Sequence, residues 1–135
     1  MPDKQQNRHL AKLIAQARRA RQKAYAPYSK FKVGAVLEAN GGKVYLGCNV
    51  ENTSSGVSVC AERVALLKAV SEGVKKFRRL VIVADTKKTC SPCGICRQAL
   101  FEFAPGLEVV MANLKGKVET VKLAELLKHP YRRDM

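Results

Sequence analysis

Tryptophan is absent from the 135-residue chain, and tyrosine and phenylalanine supply only four residues each. With so few aromatics, none of them interleaved with glycine, the chain lacks a base-stacking surface of the RNA-recognition type, and a nucleic-acid partner is disfavoured. Acid is scarce as well: eleven Asp and Glu stand against twenty-five Lys and Arg, for a net charge of +14. No apolar run approaches the length needed to cross a bilayer, so no membrane partner is expected. The opening stretch, MPDKQQNRHLAKLIAQARRARQKAY, lacks the apolar core and small-residue cleavage site of a secretory signal. It is Arg-rich and acid-poor, as a mitochondrial transit peptide is. However, Leu10, Leu13, Ile14, Ala17, Ala20 and Ala24 form a helical stripe that reads more simply as a first helix. Five cysteines are too few for a dense disulfide scaffold; their odd number and the missing export signal point to free thiols in the cytoplasm.

What is present is an ordinary globular balance, 47% hydrophobic and 27% charged. Folding a chain of this length buries roughly two-thirds of the unfolded surface, so no metal is needed merely to hold a core together. A metal site would therefore need another purpose. The positive charge creates a field that attracts nucleotides, nucleic acids or acidic membranes without choosing among them. Half of it lies in residues 1–30 and the rest is scattered in small clusters, which reads as solvated faces.

Residues 32–39 (KVGAVLEA) and 43–49 (KVYLGCN) read as strands joined by the Asn40-Gly41-Gly42 hairpin signal. A polar loop over 51–59 leads into a helix, CAERVALLKAVSEG, ended by Gly73. The unbroken apolar run at 79–84 reads as a central buried strand. A helix over 95–103, a strand over 107–113, a short strand within VETV and a final helix over 122–128 complete the series. Helices between successive strands predict one α/β domain over 1–135, a three-layer α/β/α arrangement. Its mixed, mostly five-stranded sheet is expected to contain parallel pairs.

The chemistry-bearing residues form two groups, Cys60-Ala61-Glu62-Arg63 and Pro92-Cys93-Gly94-Ile95-Cys96, each where a loop enters a helix. The positive end of a helix favours thiolate, the form that binds metal. Cys93 and Cys96, spaced i and i+3 around a tight Gly turn, can point both sulfurs at one ion. Cys60 as third ligand would leave one tetrahedral position open, the design of a catalytic zinc site. Two other readings compete. C-x-x-C alone fits a thioredoxin-like redox pair, but that leaves Cys60-Ala61-Glu62 without a purpose. A structural zinc site needs a fourth ligand, for which Cys90 or Cys48 remains open. Glu62 favours catalysis, because a helical start places it beside the metal without making it a ligand. The order C-A-E then P-C-x-x-C is the Cys₃ form of the nucleobase-deaminase signature.

Beyond that signature, the chain resembles the small homotetrameric cytidine deaminases over nearly its whole length. The matching blocks are residues 24–35 (AYAPYSKFKVGA), 47–52 (GCNVEN), 60–63 (CAER), 68–73 (KAVSEG) and 91–98 (SPCGICRQ). The resemblance implies that Cys60, Cys93 and Cys96 hold one Zn²⁺ per subunit and that Glu62 is the proton shuttle. It implies that the backbone around Ala61 meets the pyrimidine carbonyl, that Phe31 packs against the base, and that Asn49 and Glu51 hydrogen-bond the ribose. Arg63 would offset the negative charge of zinc with three thiolates. The implied reaction is hydrolysis of cytidine and 2′-deoxycytidine to uridine and 2′-deoxyuridine, releasing ammonia for pyrimidine salvage. Zinc-bound hydroxide would attack C4 while Glu62 relays protons.

The chain departs from the family pattern at Ser55 and Val59, where a Tyr and an Asn are frequent, and at Tyr131. The last stands where the family usually has a Phe that reaches a neighbouring subunit's site. These changes bear on substrate range and on whether the assembly is a tetramer or a dimer. Two alternatives follow: a deaminase of another aminopyrimidine, such as an antibiotic or modified cytosine nucleoside, and a polynucleotide cytosine deaminase or RNA-binding protein. His9 and His129 are expected to be surface residues.

Overall fold

The computed structural model describes residues 4–133. Helix α1 (Lys4–Arg21) is built from strong helix formers and buries Leu13, Ala17 and Ala20, while Arg18, Arg19 and Arg21 face the negative end of its dipole. Strands β1 (Val33–Ala39) and β2 (Val44–Cys48) follow. The turn between them contains Gly42, whose φ of +96° suits glycine. A 3₁₀ turn (Ser55–Val57) precedes α2 (Ala61–Ser71), β3 (Phe77–Ala84) and α3 (Gly94–Phe103). The chain continues through β4 (Glu108–Asn113) and β5 (Val118–Lys122), and α4 is a single turn (Leu123–Leu126), shorter than the helix expected over 122–128.

The five strands form one mixed sheet in the order β2-β1-β3-β4-β5. β1 runs antiparallel to both β2 and β3, β3 is parallel to β4, and β4 is antiparallel to β5. The expectation of several parallel pairs therefore narrows to one neighbouring pair. α2 does connect two strands that run the same way, β2 and β3, but β1 lies between them and takes the facing edge of each. All seven residues of β1 are buried, as that central place requires.

Alternation along the strands separates two apolar faces. Val36, Val81, Val83 and Val110 pack with Leu13 and Ala17 of α1 on one side. Leu37, Leu80, Ile82 and Met111 pack with Leu66, Leu100 and Leu123 of the other helices on the opposite side. The result is the expected three-layer α/β/α arrangement. Two glycines set how closely the helices approach. A Cβ on Gly34 would lie 2.0 Å from the carbonyl oxygen of Ala17, and one on Gly47 would lie 2.2 Å from that of Ala61. α1 and α2 thus lie flush on β1 and β2, and Gly47 sets the depth of the start of α2. The C-terminal ends of β2 and β3 meet the N-terminal end of β1 at one end of the sheet, because Val33 pairs with Ala84 and Gly34 with Cys48.

Candidate metal and active centre

At that end of the sheet, α2 and α3 aim their N-termini at one point. Cys60 is the N-cap of α2, Cys93 is the N-cap of α3, and neither side chain caps its helix, so both sulfurs are free to turn outward. Cys96 sits in the first turn of α3 and is buried. Cys60 Sγ is 3.6 Å from Cys93 Sγ, which is 3.5 Å from Cys96 Sγ, and the three sulfurs all lie within 4.8 Å of one another. An ion about 2.3 Å from each sulfur in tetrahedral geometry puts sulfurs about 3.8 Å apart, so the group fits zinc. Among the described residues, Cys48 and Cys90 fall outside this group, which leaves the fourth position open. Gly94 adds nothing special to the spacing: it is the first residue of α3, and a Cβ there would meet no atom within 4 Å. The helix itself, rather than a tight glycine turn, brings Cys93 and Cys96 together.

The sulfurs share charge unequally. Cys60 is pushed down to about 5, mainly because the Cys96 thiol hydrogen-bonds it, with Cys93 and Arg63 assisting against burial. Cys96, at the other end of that bond, is pushed up by it, and burial and the charge of Glu62 add to the effect. A cation among them is what would let all three ionise together. Burial opposes the charge on Arg63, but the sulfurs of Cys60 and Cys96 outweigh it and hold the guanidinium firmly protonated. Its Nη2 also donates to the carbonyl of Ser58 at 3.2 Å. Glu62 is 4% exposed, and its carboxyl is pushed up to about 7, chiefly by burial and also by the charge of Cys60. A carboxyl poised there can accept and return a proton at neutral pH.

The residues expected around a substrate are brought to the same end of the sheet, where several brace one another. Asn49 Oδ1 accepts from the backbone N–H of Val33 and its Nδ2 donates to the carbonyl of Phe31, both at 2.8 Å. Glu51 Oε1 accepts from the backbone N–H groups of Tyr28 and Ser29 at 3.0 and 3.1 Å, and its Oε2 accepts from the Ser29 hydroxyl. That hydroxyl is the main reason the Glu51 carboxyl is held below the usual range. Asn49 and Glu51 thus shape the 26–33 loop that presents Phe31, which is 38% exposed. Ala61 is fully buried at the start of α2, over Gly47. Val59 exchanges two 2.9 Å backbone hydrogen bonds with Val50, and Ser55 is exposed at the start of the 3₁₀ turn. Tyr131 is 73% exposed on the C-terminal segment.

Residues 7–112 match the family profile described as the cytidine and deoxycytidylate deaminase zinc-binding region. A cytidine deaminase from Sporosarcina psychrophila is 52% identical over 117 residues, 86% of each chain. The chain belongs to the cytidine deaminase family. The crystal structure of cytidine deaminase from Burkholderia pseudomallei superposes with a TM-score of 0.87 at 47% identity, covering 90% of this chain and 98% of that one. A blasticidin-S deaminase from Bacillus cereus is more distant, 31% identical over 78% of this chain and 81% of its own length.

Within this deaminase fold the structure adds residues to which the sequence alone attached no role. Ser29 holds Glu51 and also accepts from the backbone N–H of Phe31 at 3.0 Å through its Oγ. Arg97 and Gln98 tie α3 to the loop before Cys93 and to the C-terminal segment. Both stand in the S-P-C-x-x-C-R-Q block, so their presence was legible, but their partners lie up to 33 positions away.

Proposed function

We propose that this protein catalyses the hydrolytic deamination of cytidine and 2′-deoxycytidine to uridine and 2′-deoxyuridine with release of ammonia. The observation that carries the reading is Glu62, a buried carboxyl on the first turn of α2 beside a three-sulfur group with an open fourth position. Zinc held by Cys60, Cys93 and Cys96 would supply a water acidified to near-neutral pH. Glu62 would take one proton from the water and deliver it to ring N3, so that C4 is electrophilic enough to bond the water's oxygen. It would then take the second proton from the new C4 hydroxyl and give it to the C4 amine, and the C4–N bond breaks to release ammonia and leave the C4 carbonyl. Arg63 offsets surplus negative charge on the sulfurs. Phe31 packs against the base and the backbone at Ala61 meets the ring carbonyl. Asn49 retains one amide N–H beyond its bond to Phe31, and the Glu51 carboxylate has lone pairs left over, so both can also meet ribose hydroxyls.

The described residues are read as one catalytic unit acting in pyrimidine salvage in the cytoplasm, on a nucleoside rather than on a polynucleotide. No described helix is long and apolar enough to cross a membrane. The assembly read here is a homotetramer, in which exposed apolar side chains near the site, among them Tyr25, Val50, Val57 and Ile95, would be covered and the exposed Tyr131 would meet a neighbour. The test is loss of the cytosine absorbance on mixing cytidine with the protein, Glu62→Ala serving as control. Turnover that falls at least about 100-fold in the variant while zinc stays bound supports the reading. A zinc-loaded protein that leaves cytidine unchanged overturns it.

A further inference from the structure

Arg97 follows the last sulfur directly and takes no part in the proton transfers. Its guanidinium nevertheless makes three hydrogen bonds, two to the loop before Cys93 and one to α4. Nε donates to the carbonyl of Pro92 at 2.7 Å, Nη2 to Ser91 Oγ at 3.2 Å, and Nη1 to the carbonyl of Leu126 at 2.7 Å. The Pro92 carbonyl belongs to the peptide that enters Cys93, so its direction sets where that cysteine begins. Residues 85–93 belong to no helix or strand, and Cys93 is exposed, so the sulfur has little packing of its own to hold it. Leu126 is the last residue of α4, whose terminal carbonyls have no helical partner. One planar fork therefore clamps a loop that carries a ligand to a helix near the C-terminus. A lysine, a single point donor, cannot span the three acceptors. Gln98 adds a parallel brace: Tyr131 N donates to its Oε1 at 2.9 Å and its Nε2 donates to the Tyr131 carbonyl at 3.0 Å.

We propose that Arg97 is a positioning residue that holds the Cys93 sulfur in the three-sulfur group by pinning Ser91 and Pro92 to α4. The proposal rests on the zinc reading of that group. It predicts that the clamp governs how tightly the ion is kept, apart from any effect on overall stability. The experiment is zinc release from the intact protein into excess chromophoric chelator, with the absorption spectrum of the Co²⁺-substituted protein as a signature of ligand geometry. Arg97→Ala is expected to release zinc about 10- to 100-fold faster and to alter the Co²⁺ spectrum. Arg97→Lys is expected to fall between it and the wild type, and Ser91→Ala, which removes one of the three bonds, to show a smaller acceleration. Arg79→Ala, which removes the ion pairs of Arg79 with Glu38 and Glu108 at the other end of the sheet, is expected to release zinc at the wild-type rate.

Wild-type release from Arg97→Ala, or equal acceleration in Arg79→Ala, overturns the proposal and leaves the zinc reading standing. Should Arg97→Ala fail to fold, Arg97→Lys and Ser91→Ala decide by the same rates: both at the wild-type rate overturn it. A wild-type protein that takes up neither zinc nor Co²⁺ overturns the zinc reading itself.

Discussion

Glu62 shows how a single residue's chemistry follows from where its backbone begins. On the first turn of α2 its side chain is drawn under the helix start and away from water, and this burial raises its proton affinity. Burial also has a stability consequence. Because the carboxyl is pushed up to about 7 from 4.5, the folded state binds its proton more tightly than the unfolded state does. The associated stability is fully present below about pH 4.5 and is lost as pH rises through 7, by at most ~3 kcal/mol. In protein stripped of metal, wild-type stability from urea unfolding should fall between pH 5 and pH 8 by more than that of Glu62→Gln, which has no proton to lose. Parallel pH profiles for the two proteins would contradict this assignment.

At the scale of elements, the placement of the site depends on how closely a helix lies on a strand. Gly47 lets the start of α2 rest on β2, and Gly34 lets the end of α1 rest on β1. Alanine at either place forces the helix outward, an overpacking cost of about 1–3 kcal/mol or more. The two substitutions should nevertheless differ in what else they damage. Gly47→Ala displaces the element that carries Cys60 and Glu62, so it should lower zinc content and turnover together with stability. Gly34→Ala displaces α1, which bears none of the three sulfurs, so zinc content should hold while the unfolding midpoint drops. Metal analysis alongside thermal unfolding of both variants distinguishes the two outcomes.

Across the whole molecule, the sheet separates a chemical end from a structural one. Away from the sulfurs, Glu38 is 1% exposed, and His9 Nε2 lies 2.5 Å from its Oε2. Arg79 Nη1 approaches Glu38 Oε1 at 3.3 Å, Arg78 Nε lies 3.8 Å from it, and Arg79 Nε lies 3.4 Å from Glu108 Oε1. His9 is exposed, as expected of a surface residue, and its contact with Glu38 fastens α1 to β1. Arg79→Ala removes the best-buried cation of this group, and leaving Glu38 short of charge there should cost about 3 kcal/mol. Denaturant unfolding should register the loss while cytidine turnover at 25 °C stays near the wild-type level. A proportionate loss of turnover would show that the two ends are coupled.

The three-sulfur group and the buried carboxyl beside it were legible in the sequence because each depends on local structure: a cysteine where a loop enters a helix, a glutamate two residues on, and an i, i+3 pair of thiols. The elements were legible too, from apolar periodicity and the Asn40-Gly41-Gly42 turn. What only the tertiary structure decided is the position of β1 between β2 and β3, which reduces the parallel neighbours to one pair. It also decided the long-range polar partners: Asn49 with the backbone at 31–33, Glu51 with Ser29, Glu38 with His9, and Arg97 with Leu126. These joined residues lie 16 to 29 positions apart. No helical or strand period links them along the chain. Their partners are set by which strand edges pair and which loops those pairings bring together.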